Sequence, residues 1–183
     1  MIGWIGAAEQ AAHQVALCIA AVTYMMASGI SSAASVRVGN QLGLKNKEGV
    51  RTAGFSAFII VMAFMGLMAV CFILFKNELP LLFNKDVVVI HIASSLLIIA
   101  ALFQLFDGVQ VVGLGALRGM KDVKIPTAVT LIAYWVFGLP LSYVFAFPLK
   151  MGVEGIWYGL ALGLATAAVL LFLRFEHISR RDL

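Results

Sequence analysis

The chain has 183 residues, of which 62% are hydrophobic and only 12% charged, and its mean hydropathy is +1.01. A water-soluble domain is excluded, because too few polar side chains exist to cover its surface. The formal charge of +4 does not point to nucleic acid either, since the basic residues fall between apolar runs and form no single basic face.

Five segments reach the roughly 20 residues that an apolar helix needs to cross a bilayer: about 11–36, 53–75, 87–117, 125–147 and 153–173. The expected fold class is an all-α integral membrane protein with these five transmembrane helices. The connections, GLKNKEG at 43–49, KNELP at 76–80, NKD at 84–86, GMKD at 119–122 and PLKMG at 148–152, are short and turn-like. No cleavable leader is expected at the start, which has no basic residues ahead of a long apolar run.

Arg37, Lys45, Lys47, Arg51, Arg118, Lys121, Lys124, Arg174, Arg180 and Arg181 would lie on one side of the membrane, against Lys76, Lys85 and Lys150 on the other. The positive-inside rule makes the ten-residue side cytoplasmic and places the C-terminus there. With five spans the N-terminus falls outside, so at least one further helix is expected before Met1.

In the first span, Ser28, Gly29, Ser31, Ser32, Ala33, Ala34 and Ser35 form a small-residue run suited to close packing or a bend. His13 and Gln14 enter it near the outer end, as interfacial groups or as ligands. The second span carries no charge and reads as scaffold. Cys18 and Cys71 lie inside apolar segments and predict no disulfide or metal site.

The third span holds the most informative residue. Asp107 stands eleven residues before Arg118, about 16 Å along a helix and so near the membrane midplane. A charge there costs several kcal/mol unless it is neutralised, paired or wetted. Gln104, Asp107 and Gln110 follow one another at three-residue spacing. Asp107 is therefore either a structural acid satisfied by Gln104 and a backbone donor, or a carboxylate that binds a proton or metal cation. In the fourth span Pro126 suits a first turn and Pro140 should bend the helix. Tyr134, Trp135 and Tyr143 are interface or core groups, or else line a cavity for a cationic ligand. Gly155, Gly159 and Gly163 in the fifth span form a packing stripe.

No nucleophile with a base, metal spacing or phosphate loop appears, so neither an enzyme nor a cofactor is expected. An ion gradient is the simple energy source, with Na⁺ or H⁺ as coupling ion.

The runs GWIGAAEQAAHQVA at 3–16, ASVRVGNQLGLKNKEGVR at 34–51, LFQLFDGVQVVGLGALRGMKDVKIP at 102–126 and GVEGIWYGLALG at 152–163 resemble the C-terminal half of a MATE (multidrug and toxic compound extrusion) transporter of the NorM type. Residues 1–183 would be a partial C-terminal lobe, its spans resembling helices eight to twelve. The resemblance implies two six-helix lobes around a cavity that alternates between faces, with Na⁺ or H⁺ moving inward and an amphipathic or cationic drug outward. Asp107 matches the family's cation-binding acid of the tenth helix, and Gln14 the cavity border of the eighth. Gln104 and Gln110 are added as cavity candidates from helix geometry, and Tyr134 as an aromatic able to line the cavity through cation–π contact. The NorM type places an aromatic hydroxyl one turn before the acid, where this sequence has Phe103.

The implied location is the inner (plasma) membrane. The implied partners are membrane lipid, amphipathic or cationic small molecules, and the N-terminal lobe or a second copy, without nucleic acid. The alternative is a truncated non-transporting membrane fragment, or a half-subunit that acts only in assembly. Flipping of lipid-linked sugars is disfavoured, since no span has an internal Lys or Arg.

Overall fold

The computed structural model describes residues 2–180, and Arg181 of the basic set lies outside them. The helices are α1 (Ala7–Gly43), α2 (Lys47–Leu74), α3 (Val87–Gly119), α4 (Lys124–Ile132), a π-helical turn (Ala133–Gly138), α5 (Leu139–Ala146) and α6 (Gly152–Arg180). Because α4, the π-turn and α5 run on as one span, Lys124–Ala146, five helices are long and apolar enough to cross a membrane. Each expected span is present. Most outrun their apolar windows, since polar stretches such as RVGNQLG continue the helix until a turn residue stops it. The small-residue run of α1 does not interrupt it.

Local chemistry sets the ends. The side chain of Asn46 accepts from Gly49 N–H at 3.0 Å and that of Asp86 from Val88 N–H at 2.9 Å, capping α2 and α3. Helix α1 closes through Asn46 N–H to the Gln41 carbonyl and Lys45 N–H to the Leu42 carbonyl, both at 3.0 Å, with Lys45 at φ 53°. Asp122 and Lys121 repeat this closure at the end of α3, Lys121 at φ 62°. Both are Schellman turns with lysine where glycine is usual.

Helix α3 is the axis of the bundle, packed by α1, α2 and α6, while α5 packs on α6. Two apolar clusters occupy its two halves. One gathers Ala16, Ile19, Phe72, Leu96, Leu97 and Trp157. The other, at the basic end, gathers Val38, Val50, Met65, Val112, Leu171 and Phe175. There the rings of Phe55, Phe58, Phe172 and Phe175 meet edge to face, with centroids 5.1–6.0 Å apart. Arg174 Nε reaches Asp122 Oδ2 at 2.9 Å and ties α6 to the α3–α4 turn.

Without a hydrophobic force between helices in lipid, close backbone approach has to hold them together. A Cβ at Gly115 would overlap Ser31 of α1, and one at Gly159 would overlap Ser142 of α5. Gly155 faces Phe145 and Ala146, and Gly163 faces Gly138. The stripe read as a packing seam is one, and its partners are α5 and the π-turn ahead of it.

Pro140 does not act alone as a kink. Lacking an N–H, it cannot take its place in the i→i−4 ladder. The turn ahead of it widens instead, with Leu139 N–H reaching back five residues to Tyr134.

Candidate functional site

Between the two apolar clusters lies a polar belt, at the levels where α1 passes Thr23 and α3 passes Gln104 to Gln110. The hydroxyl of Thr23 donates to the Ala20 carbonyl at 2.8 Å and to Gln104 Oε1 at 3.1 Å. Gln104 Nε2 donates to the Met65 carbonyl of α2 at 3.4 Å. Tyr134 O–H donates to Gln110 Oε1 at 2.9 Å, and Ser31 Oγ to the Val111 carbonyl at 2.6 Å. The belt thereby joins α1, α2, α3 and the π-turn by side-chain hydrogen bonds.

Asp107 stands apart from these bonds. Its half-buried carboxylate lines a cleft of 270 Å³ with His13, Ala20 and Tyr24 of α1, Phe103 of α3, and Trp157 of α6. Among the described residues it makes no hydrogen bond or ion pair. Trp157 Nε1 donates to His13 Nδ1 at 3.2 Å, which places the imidazole proton on Nε2. The His13 and Trp157 rings meet edge to face at 5.7 Å, and Phe103 lies 5.9 Å from Trp157. The cleft sets the carboxylate among the side chains of His13, Tyr24, Phe103 and Trp157, and a carboxylate in such largely apolar surroundings favours a proton or a cation.

The expected site residues separate. Asp107 lines the cleft. Gln104 is fully buried between α1 and α2, and its amide is occupied by Thr23 and Met65, so it does not satisfy Asp107 as one reading had it. The reason is rotational: a three-residue step turns a helix by 300°, and two such steps carry Gln104 and Gln110 onto different flanks of Asp107. Gln110 and Tyr134 hold each other. Gln14 is exposed, outside the cleft, with its amide 3.8 Å from Cys18 Sγ. Trp135 and Tyr143 are exposed.

Tyr24 and Trp157 were not singled out in the sequence. A signal existed: His13, Leu17, Ala20 and Tyr24 recur at i, i+4, i+7 and i+11, one face of α1. Tyr24 is the lining residue of the cleft that carries an aromatic hydroxyl, which Phe103 lacks.

Replacing Gln104 by Met keeps the volume and removes the buried bonds to Thr23 and Met65. The expected cost is about 1 kcal/mol of stability, read as a lower unfolding temperature in detergent. Any cation-dependent shift of that temperature should be unaltered; its loss would place Gln104 in the Asp107 site after all.

Among known proteins, the MatE family matches residues 1–144. The chain is 38% identical over 181 residues to the probable multidrug resistance protein NorM of Xanthomonas axonopodis pv. citri, covering 99% of this chain and 40% of that protein. It is 42% identical over 180 residues to the multidrug resistance protein NorM of Burkholderia vietnamiensis, covering 96% and 39%. Among solved structures, the eukaryotic MATE transporter AtDTX14 superposes with a TM-score of 0.86 at 28% identity, over 93% of this chain and 39% of that one. The chain thus spans about 40% of the length of the curated relatives it matches.

Proposed function

The chain belongs to the MatE family, and on that premise we propose that it supplies most of the C-terminal lobe of a cation-coupled multidrug antiporter. The observation that carries this reading is the Asp107 carboxylate, set without a protein partner in an aromatic cleft between two apolar clusters. A carboxylate so placed is stable when it holds a proton or Na⁺, and exchange of that cation is a means of biasing one arrangement of the helices over another. Tyr24 and Trp157 would share the cation through a hydroxyl and a ring face. Amphipathic or cationic drugs would enter on the side of α1, α3 and the π-turn span.

The ten-residue basic side would face the cytoplasm across the inner membrane. Alternating access needs two bundles rocking about a site. The second bundle would come from an N-terminal lobe or from another copy of this chain.

The test uses proteoliposomes containing the assembled transporter and a fluorescent cationic drug, energised in turn by a Na⁺ gradient and by a proton gradient. Drug movement under one of them is expected. No movement under either would remove the antiporter reading in favour of an assembly role.

A further inference from the structure

We propose that Arg51 and the apolar groove between α2, α3 and α6 form a binding site for one anionic phospholipid, its phosphate on the guanidinium and one acyl chain along the groove. This site lies away from Asp107 and does not depend on the transport reading.

The groove has a volume of 700 Å³ and is lined by hydrocarbon and aromatic side chains, among them Phe55, Met62, Phe106, Val109, Val169 and Phe172. A cavity of this composition offers water nothing to bind, and where it faces a bilayer it is filled by hydrocarbon. Toward the basic end it meets a second cleft, of 390 Å³, lined by Glu48, Arg51, Thr52, Phe55, Ser56 and Ile59. Phe55 and Ile59 line both, so an apolar path leads along α2 from the bilayer interior to Arg51.

Arg51 is the independent observation that points to an anion. Its Nε has no exposed surface and no hydrogen-bond partner among the described residues. Its guanidinium carbon sits 5.9 Å from the Phe55 ring centroid, which holds the group against the mouth of the groove. Arg174, at the same end, is by contrast paired with Asp122. A buried donor left without an acceptor is costly, and a small shift of the side chain that opens Nε to the cleft lets a phosphate diester accept from the guanidinium fork with two oxygens at once.

Depth agrees as well. Arg51 lies four residues into α2, about 6 Å from its start, where a phosphate rests when its acyl chains run toward the membrane centre. The hydroxyls of Thr52 and Ser56 line the same cleft and add donors, whereas the Glu48 carboxylate lines it too and repels the phosphate. Free phosphate would use Arg51 but not the groove, and a zwitterionic lipid would use the groove while its ammonium offsets the charge at Arg51.

The test is native mass spectrometry of the chain released from nanodiscs holding an equimolar mixture of phosphatidylglycerol and phosphatidylcholine with identical acyl chains. Wild type should retain the anionic lipid with a preference of about fivefold. Arg51→Gln should abolish the preference, Glu48→Gln should raise it, and Val169→Trp, which fills the groove, should lower the total lipid retained. Equal retention of the two lipids by wild type would overturn the proposal. So would a preference that survives Arg51→Gln. If Arg51→Gln yields no folded protein, Glu48→Gln on its exposed turn decides, and an unchanged or weakened preference there overturns the site.

Discussion

On the antiporter reading proposed above, exchanging Asp107 for Asn is expected to lower cation-driven drug export by the assembled transporter about 100-fold or more, at the upper end of coupling free energies between two ligands, while the protein inserts and folds as before. Asparagine has nearly the volume and shape of aspartate, so the cleft among His13, Tyr24, Phe103 and Trp157 keeps its walls. What disappears is the capacity to carry a negative charge, and with it the ability to hold or release a cation. Folding should be indifferent, because no hydrogen bond or ion pair among the described residues ends on Asp107, and a neutral amide is easier to place at mid-membrane than a carboxylate. Drug accumulation and unfolding temperature are to be measured on the same preparation. Export unchanged in Asp107→Asn would exclude this carboxylate from the mechanism, whereas loss of both export and folding would make it a structural acid.

The largest effect on stability is expected at Gly159. Valine there drives its side chain into the backbone of Ser142, and α5 and α6 must separate to admit it. Overpacking of this kind costs about 3 kcal/mol or more, because the obstacle is main chain and not the end of a flexible side chain. Separation also removes the contact of the Ser142 hydroxyl with the Ile156 carbonyl of α6 at 3.0 Å, leaving only its bond to the Gly138 carbonyl of its own span at 2.7 Å. Gly159→Val should give little monodisperse protein in detergent and a strongly lowered unfolding temperature. The same exchange at Gly66, where nothing lies within 4 Å of an added Cβ, provides the control and should change little. Equal behaviour of the two variants would mean that the α5–α6 seam does not hold the lobe together.

The sequence was most legible where a single physical requirement dominates. Span number followed from apolar length, the place of Asp107 within a span from its position in an apolar run, and the Gly155, Gly159, Gly163 stripe from its spacing. Pairings between helices were less legible, since they depend on rotation as well as residue type. Gln104, Asp107 and Gln110 looked like one polar edge, yet each turns to a different neighbour. The contact of His13 with Trp157 joins residues 144 apart in the chain, and nothing local in either segment announces it. Helix ends were misjudged by the apolar windows because backbone bonding continues into polar residues until a cap, such as Asn46, or a left-handed turn, such as Lys45, halts it.

The π-turn at Ala133–Gly138 can also be seen as a matter of phase. A π-turn holds one residue more than an α-helix needs for the same advance, so the tyrosine end and the serine end of this span are out of step by about 100°. That offset allows Tyr134 to face Gln110 while Ser142 faces Ile156 and Gly159; a regular helix aligned at one end would misdirect the other. The surplus residue acts as a one-residue insertion in the helical register, placed where two helix faces need different phases. Such an insertion divides the span into two segments that can be retuned separately, one against the polar belt and the other against the glycine seam.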